Sequence, residues 1–208
     1  RNKPPLRIGI PPMLSTVFFP ELLTAFQKEY PDVPVMLEEY ASVRACNLVQ
    51  NDSLDLALVN MEQYNIDKFH HALLANDQVV FCVSKEHPLA RKEQASIQDM
   101  AQMPLIFFNG DSVQNQLLNI RFELEGFTPH VLMHSSQIYT TLQFLKNNNC
   151  GCFLYSSMTD KFPDIVQLPL KPPLFIKIGM IWKKGKYISN DMQTFLNFKK
   201  FFLSILKI

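Results

Sequence analysis

Glycine is scarce in this 208-residue chain, with only 6, and cysteine scarcer, with 4. So few glycines leave little material for loops that cradle phosphates. The chain has no glycine-rich phosphate loop, no strand-linked G-x-G-x-x-G, no G-x-S-x-G elbow and no H-E-x-x-H. Its cysteines (Cys46, Cys82, Cys150 and Cys152) are too few for the disulfide framework of a small secreted domain, so a reducing cytoplasm is the expected compartment. One-sided charge is missing too: 20 Lys+Arg stand against 19 Asp+Glu, a formal net charge of +1. That balance excludes a strongly basic nucleic-acid arm or an acidic tail within the chain. No apolar run nears the roughly 18 residues of a membrane span. The opening Arg1-Asn2-Lys3-Pro4-Pro5 carries neither Met nor an apolar stretch, so no signal peptide is expected and the chain reads as a piece of something longer.

What is present is core. With 47% hydrophobic and 19% charged residues the chain must fold to bury its apolar content. Leu6 to Ile10 reads as a strand, and Phe19, Leu22, Leu23, Phe26 and Tyr30 then fall on one face of a helix that Pro31 ends, with Ser15 or Thr16 as its N-cap. Val33 to Glu39 is a second strand. Ser42 caps a helix to about Asn51, and Leu54 to Val59 is a third strand. This alternation predicts an α/β lobe with a mostly parallel sheet. The grammar then repeats: strands at Val79 to Ser84, Leu105 to Phe108, Val131 to Met133 and Gly151 to Tyr155, with helices between them. One helix runs from Val113 to Glu125, capped in Gly110-Asp111-Ser112 and stopped by Gly126 and Pro129. Another carries Ile138, Leu142 and Leu145 and takes Ser135 or Ser136 as its cap. These form a second lobe. A proline-rich connection (Pro169, Pro172, Pro173) leads to a strand from Phe175 to Trp182 and a last helix capped near Ser189 or Asn190.

Residues able to do chemistry are few. Cys150-x-Cys152 and His130-x-x-x-His134 are loose pairs without the tight four-ligand spacing of a metal centre, so buried free thiols and no metal are expected. A redox role for Cys150 and Cys152 is open, since their spacing lowers neither thiol's pKa. His70-His71 is expected at the surface of a polar segment between strands. Hydroxyls and amides gather instead where strands end and helices begin: Pro12 to Ser15, Ser42, Asn60, Asn109 to Ser112, and Ser135-Ser136. Carboxyl ends of parallel strands border a crevice, and helix N-termini present N–H groups and a positive dipole end there. Each of these polar residues also has an ordinary reading as a cap. Such a crevice suits reversible binding of a small anion better than catalysis, and no catalytic residue or cofactor is expected.

The order of motifs carries a resemblance. Leu6-Arg7-Ile8-Gly9, Phe19-Pro20 with Leu22-Leu23 and Phe26, Tyr30-Pro31-x-Val33, and Leu54-Asp55-Leu56-Ala57-Leu58 are followed by Glu86-His87-Pro88-Leu89-Ala90, Pro104-Leu105-Ile106 and Gly126-Phe127-x-Pro129. In that register the chain resembles the effector-binding (substrate-binding) domain of LysR-type transcriptional regulators over essentially its whole length. The resemblance implies an α/β, two-lobed, type II periplasmic-binding-protein-like fold, each lobe a mostly parallel sheet flanked by helices. Two crossover strands are implied near Val79 to Ser84 and Leu174 to Met180. Lobe I would comprise residues 1–80 and 178–208, and lobe II residues 81–177. A winged helix-turn-helix DNA-binding domain is implied upstream, and DNA would be contacted only through it. A small-molecule effector, such as an organic acid, is implied in the cleft between lobes, against Met13, Leu14, Ser15, Ser42, Asn60, Ser135 and Ser136. The apolar loop Pro11-Pro12-Met13-Leu14 leaves room for an effector with an apolar or aromatic part.

The expected function is therefore a ligand-sensing regulatory domain, cytoplasmic and self-associating as a dimer or tetramer. Phe18, Phe198, Phe201 and Ile205, lying outside the helical stripes, are the expected interface. The alternatives are an extracytoplasmic solute-binding protein of a transporter and an enzyme on a related fold, which would need a base or nucleophile among the cap-like residues.

Overall fold

The structure, a computed structural model, describes residues 3–13, 19–62, 65–110, 112–147 and 149–206, with side chains through 198. Two compact units share the chain: residues 1–75 with 177–208, and residues 76–176. In unit one, β1 (Leu6–Ile10), α1 (Phe19–Glu29), β2 (Val35–Glu39), α2 (Ser42–Gln50) and β3 (Leu56–Asn60) follow in order. β1 pairs in parallel with both β2 and β3. The chain continues through β4 (Phe69–Ser84), which runs out of unit one into unit two. Unit two holds α3 (Ile97–Ala101), β5 (Leu105–Phe107), α4 (Val113–Leu124), β6 (Val131–His134), α5 (Ile138–Asn147), β7 (Gly151–Tyr155) and α6 (Ser156–Thr159). There β5 lies parallel between β6 and β7, and β7 pairs antiparallel with β4. β8 (Ile165–Lys183) returns to unit one, pairs antiparallel with β3, and is followed by α7 (Asn190–Leu206).

Alternation along the strands builds two cores in unit one. Leu56 and Leu58 of β3 face one cluster with Leu6, Ile8 and Ile10 of β1, while Ala57 and Val59 face the other with Ala45, Cys46 and Val49 of α2. Both faces are covered, as a parallel sheet requires. Phe26 of α1 meets Phe195 at 5.0 Å and Phe198 at 5.4 Å between centroids, both edge-on. Phe198 is therefore core and not interface, because the stripe of α7 is wider than sequence periodicity suggests. Phe18, Phe201 and Ile205 lie outside the described residues or side chains.

Unit two shows its stop and start signals plainly. Ser112 caps α4 by accepting the Asn115 N–H at 3.2 Å. At the other end Gly126 takes φ +76°, its N–H bonding the Glu123 carbonyl and the Phe127 N–H the Phe122 carbonyl, a Schellman closure. Gly151 is needed for closeness: a Cβ there would stand 2.3 Å from the Phe81 ring. All four cysteines are free and buried. Cys82 and Cys152 face each other across the β4–β7 ladder. Burial first, then the S–H bond with Cys82, pushes the Cys152 thiol well up, and burial raises Cys150 as well.

Several expectations need correction. The strand expected to start at Val79 starts at Phe69, so His70 and His71 lie on β4 and not between strands. Both are exposed, and the His70 ring lies 5.9 Å from that of Trp182. The proline-rich segment is no connection but part of β8. Proline lacks only the N–H, and the Pro172 and Pro173 carbonyls both accept from the Arg121 guanidinium.

Candidate functional site

In unit one the carboxyl ends of β1, β2 and β3 lie at one edge of the sheet. After β1, Met13 is buried with φ +69°, a left-handed conformation rarely taken by a residue with a long side chain. Leu14 and Ser15 lie outside the described residues, as does Thr16. After β2, α2 begins at Ser42 itself, and its N-cap is Ala41, which offers no side-chain bond. Ser42 is thus not the expected cap. Its buried Oγ instead accepts the Asn60 N–H at 2.9 Å, a partner 18 residues away that replaces the local cap bond. No side-chain cap bond from Ala41 closes the N-terminus of α2, the positive end of the helix dipole.

Asn60 ends β3 and is 1% exposed. Its Oδ1 accepts the Glu62 N–H at 3.0 Å, which fixes the amide's orientation and directs Nδ2 away from that bond. Nδ2 is buried without a hydrogen-bond partner. Such a donor costs on the order of 1–3 kcal/mol while unsatisfied. Since the Ser42 oxygen already accepts, its hydroxyl hydrogen is left to donate as well. Ser42 and Asn60 form a neutral donor pair.

In unit two the corresponding strand ends are those of β5 and β6. The Ser135 N–H donates to the Phe107 carbonyl at 2.9 Å, and its Oγ accepts the Gln137 N–H at 3.1 Å. Ser136 Oγ accepts the Asn109 N–H at 3.4 Å. Neither serine caps α5, which starts at Ile138; the short turn they form ahead of the helix uses their oxygens first. Asn109 and Ser136 are therefore brought together, with Ser135 anchored beside them.

Sequence reading missed Asn115, which is 2% exposed in the first turn of α4. Its Nδ2 donates to the carbonyls of Phe108 and Asn109 at 2.5 and 2.8 Å, locking the loop after β5. Its Oδ1 is left without a partner, as is the Thr141 Oγ1 of α5. Only its place three residues after a capping Ser hinted at this. His134 likewise holds the Phe108 carbonyl through Nδ1 at 2.9 Å, and Gln114 bonds the buried Tyr155 hydroxyl. Among the described residues no group of three or more His, Cys, Asp or Glu is placed to hold a metal ion.

A model of the LysR substrate binding domain matches residues 1–200. The chain belongs to that family. Among related LysR-type regulators, an uncharacterized HTH-type transcriptional regulator of Bacillus subtilis (strain 168), YwbI, is 28% identical over 95% of this chain and 66% of its own length. The transcriptional dual regulator GltC of the same organism is 23% identical over 97% and 68% respectively. The chain thus spans about two thirds of the length of these relatives. Two solved structures share the fold. The effector-binding domain of QuiR in complex with shikimate superposes with a TM-score of 0.80 at 19% identity, covering 97% of this chain and 98% of that one. The regulatory domain of Synechocystis PCC6803 CcmR in complex with 2-PG gives 0.84 at 19% identity, covering 96% of each. This LysR domain therefore has the two-lobed type II periplasmic-binding-protein-like fold, and its relatives are transcriptional regulators, which favours the sensing domain over a transporter's solute-binding protein.

Proposed function

We propose that this LysR domain senses a small organic anion, and that Ser42 and Asn60 recognise its carboxylate or a similar oxygen-rich group. The observation that carries this reading is the buried, unpartnered Asn60 Nδ2 beside a serine hydroxyl left free to donate and an uncapped helix N-terminus. All three are donors without a formal charge, so the ligand supplies acceptors. Met13, Leu14 and Ser15 complete the residues proposed in unit one, and in unit two Ser135 and Ser136 are proposed to meet an effector. The shikimate and 2-PG ligands of the related domains are acceptor-rich small molecules and support the same class.

In the whole protein the effector biases one arrangement of the domain over another, and so changes how a cytoplasmic dimer or tetramer presents an upstream winged helix-turn-helix to DNA. It does this only by binding one state more tightly. Thermal unfolding of the chain against shikimate and a panel of small carboxylates tests the reading, because a ligand specific for the native state raises the midpoint. A hit should lose about tenfold in affinity in Ser42→Ala and in Asn60→Ala. Unchanged affinity in both variants would place the ligand elsewhere.

A further inference from the structure

Apart from the strand ends, cavities of substantial volume open on each unit. One of about 610 Å³ in unit one is bordered by Arg7, Asp55 and Lys186, and another of about 380 Å³ in unit two by Lys92 and Asp99. Arg7 and Lys186 pair with Asp55 at 2.9 and 2.8 Å, and Lys92 with Asp99 at 2.6 Å; the second cavity also holds Glu93 and Lys171, which make no ion pair among the described residues, but no apolar residue lines it. A third cavity, about 370 Å³ in unit two, differs in kind. One stripe of α5, Tyr139, Leu142, Gln143 and Lys146, forms one wall at helical spacing. The turn carrying Phe162, Pro163, Asp164 and Ile165 forms the other, tied to the end of β4 by the Lys85 N–H on the Asp164 carbonyl at 3.3 Å. Leu142, Phe162 and Ile165 are half-buried, giving an apolar floor. Tyr139 stands 75% exposed at this cavity, a large ring with no core to serve.

The rim carries Lys85 and Lys146 on one side of the charge balance and Glu86 and Asp164 on the other. Among the described residues none of these four makes an ion pair. An occupant must therefore offer an apolar body to the floor, a flat face to Tyr139, and both a negative and a positive group to the rim. We propose that unit two carries a second small-molecule site, independent of the strand-end residues, for a zwitterionic amino acid with a large apolar or aromatic side chain. The volume matches the lower end of small-ligand pockets, roughly 300 to 1,000 Å³.

Amide NMR of the 208-residue chain titrated with L-phenylalanine tests this. Shifts are expected at residues 84–86, 139–146 and 162–165, half-saturating at about 1 mM, as suits a small open site. Phenylacetate, lacking the ammonium, and phenethylamine, lacking the carboxylate, should each bind about tenfold more weakly. Tyr139→Ala, at an exposed position that leaves folding intact, should weaken L-phenylalanine by about tenfold. No shifts at about 10 mM overturn the proposal. So do shifts gathered at Ser42 and Asn60, phenylacetate binding as tightly as the amino acid, or Tyr139→Ala binding as tightly as the parent.

Discussion

The two units spell the same strand–helix grammar but treat their buried asparagines in opposite ways. In unit one, Asn60 uses its carbonyl internally and leaves a donor unsatisfied. In unit two, Asn115 spends both amide hydrogens on the carbonyls of Phe108 and Asn109 and leaves an acceptor unsatisfied. One amide keeps a donor unsatisfied, while the other is a brace for its own loop. The same residue type thus keeps a donor unsatisfied at the end of a strand and braces a loop from the first turn of a helix, and the partners of its amide atoms decide which.

Exchanging both for alanine separates these roles. Asn115→Ala removes one donor from each of the Phe108 and Asn109 carbonyls, which keep the His134 Nδ1 and the Ser112 N–H, and should cost about 1–3 kcal/mol of stability, read from denaturant midpoints at constant slope. Gly151→Ala in the same unit drives a methyl into the Phe81 ring and should cost about 1–3 kcal/mol in the same assay. Acid should act on unit one through Asp55. Burial alone would raise this carboxyl, but the Arg7 and Lys186 cations and the Arg7 N–H outweigh it and hold it at about 2, below its ordinary 3.8. A depressed carboxyl stabilises the fold above its unfolded pKa and loses that contribution as pH falls through the folded one. Stability should therefore decline between about pH 4 and pH 2, by about 1–2 kcal/mol after solvent screening, and Asp55→Asn should flatten that decline in a pH series of unfolding curves.

Smaller effects sharpen the contrast further. Ser112→Ala removes a true cap and should cost about 1 kcal/mol, whereas Ser42→Ala removes no cap but takes the acceptor from the buried Asn60 N–H, and should cost about 1–2 kcal/mol besides weakening a ligand bound there. Asn60→Ala should change stability by less than about 1 kcal/mol, since it deletes an unsatisfied donor along with one bond to Glu62. A large loss of stability in Asn60→Ala with intact ligand binding would reverse the comparison.

Much of the fold was legible because its signals are local. The apolar spacing of α1, the serine that opens α4 and the glycine that closes it each act within a turn of the chain, and the structure places them as read. The long strands were only half legible. β4 begins in polar residues, and β8 contains prolines whose carbonyls are held by Arg121, a residue about 50 positions away. At the candidate site, Ser42 and Asn60 were recognisable as polar residues at element ends. That they bond to each other was not, because a serine before an apolar helix reads as a cap wherever no distant N–H competes for its oxygen.

The sequence by itself determined the α/β class, the family and the positions of most elements, since periodicity, caps and stops are short-range and survive in the linear order of residues. Only the tertiary structure decided that Phe198 is core, that Asn115 braces the loop after β5, and that Asn60 keeps a free donor. Those outcomes depend on which groups meet in three dimensions, 6 and 7 residues apart for Asn115 and 18 for Ser42 and Asn60, and the cost of burying an unpaired polar atom is settled by neighbours that no local pattern contains.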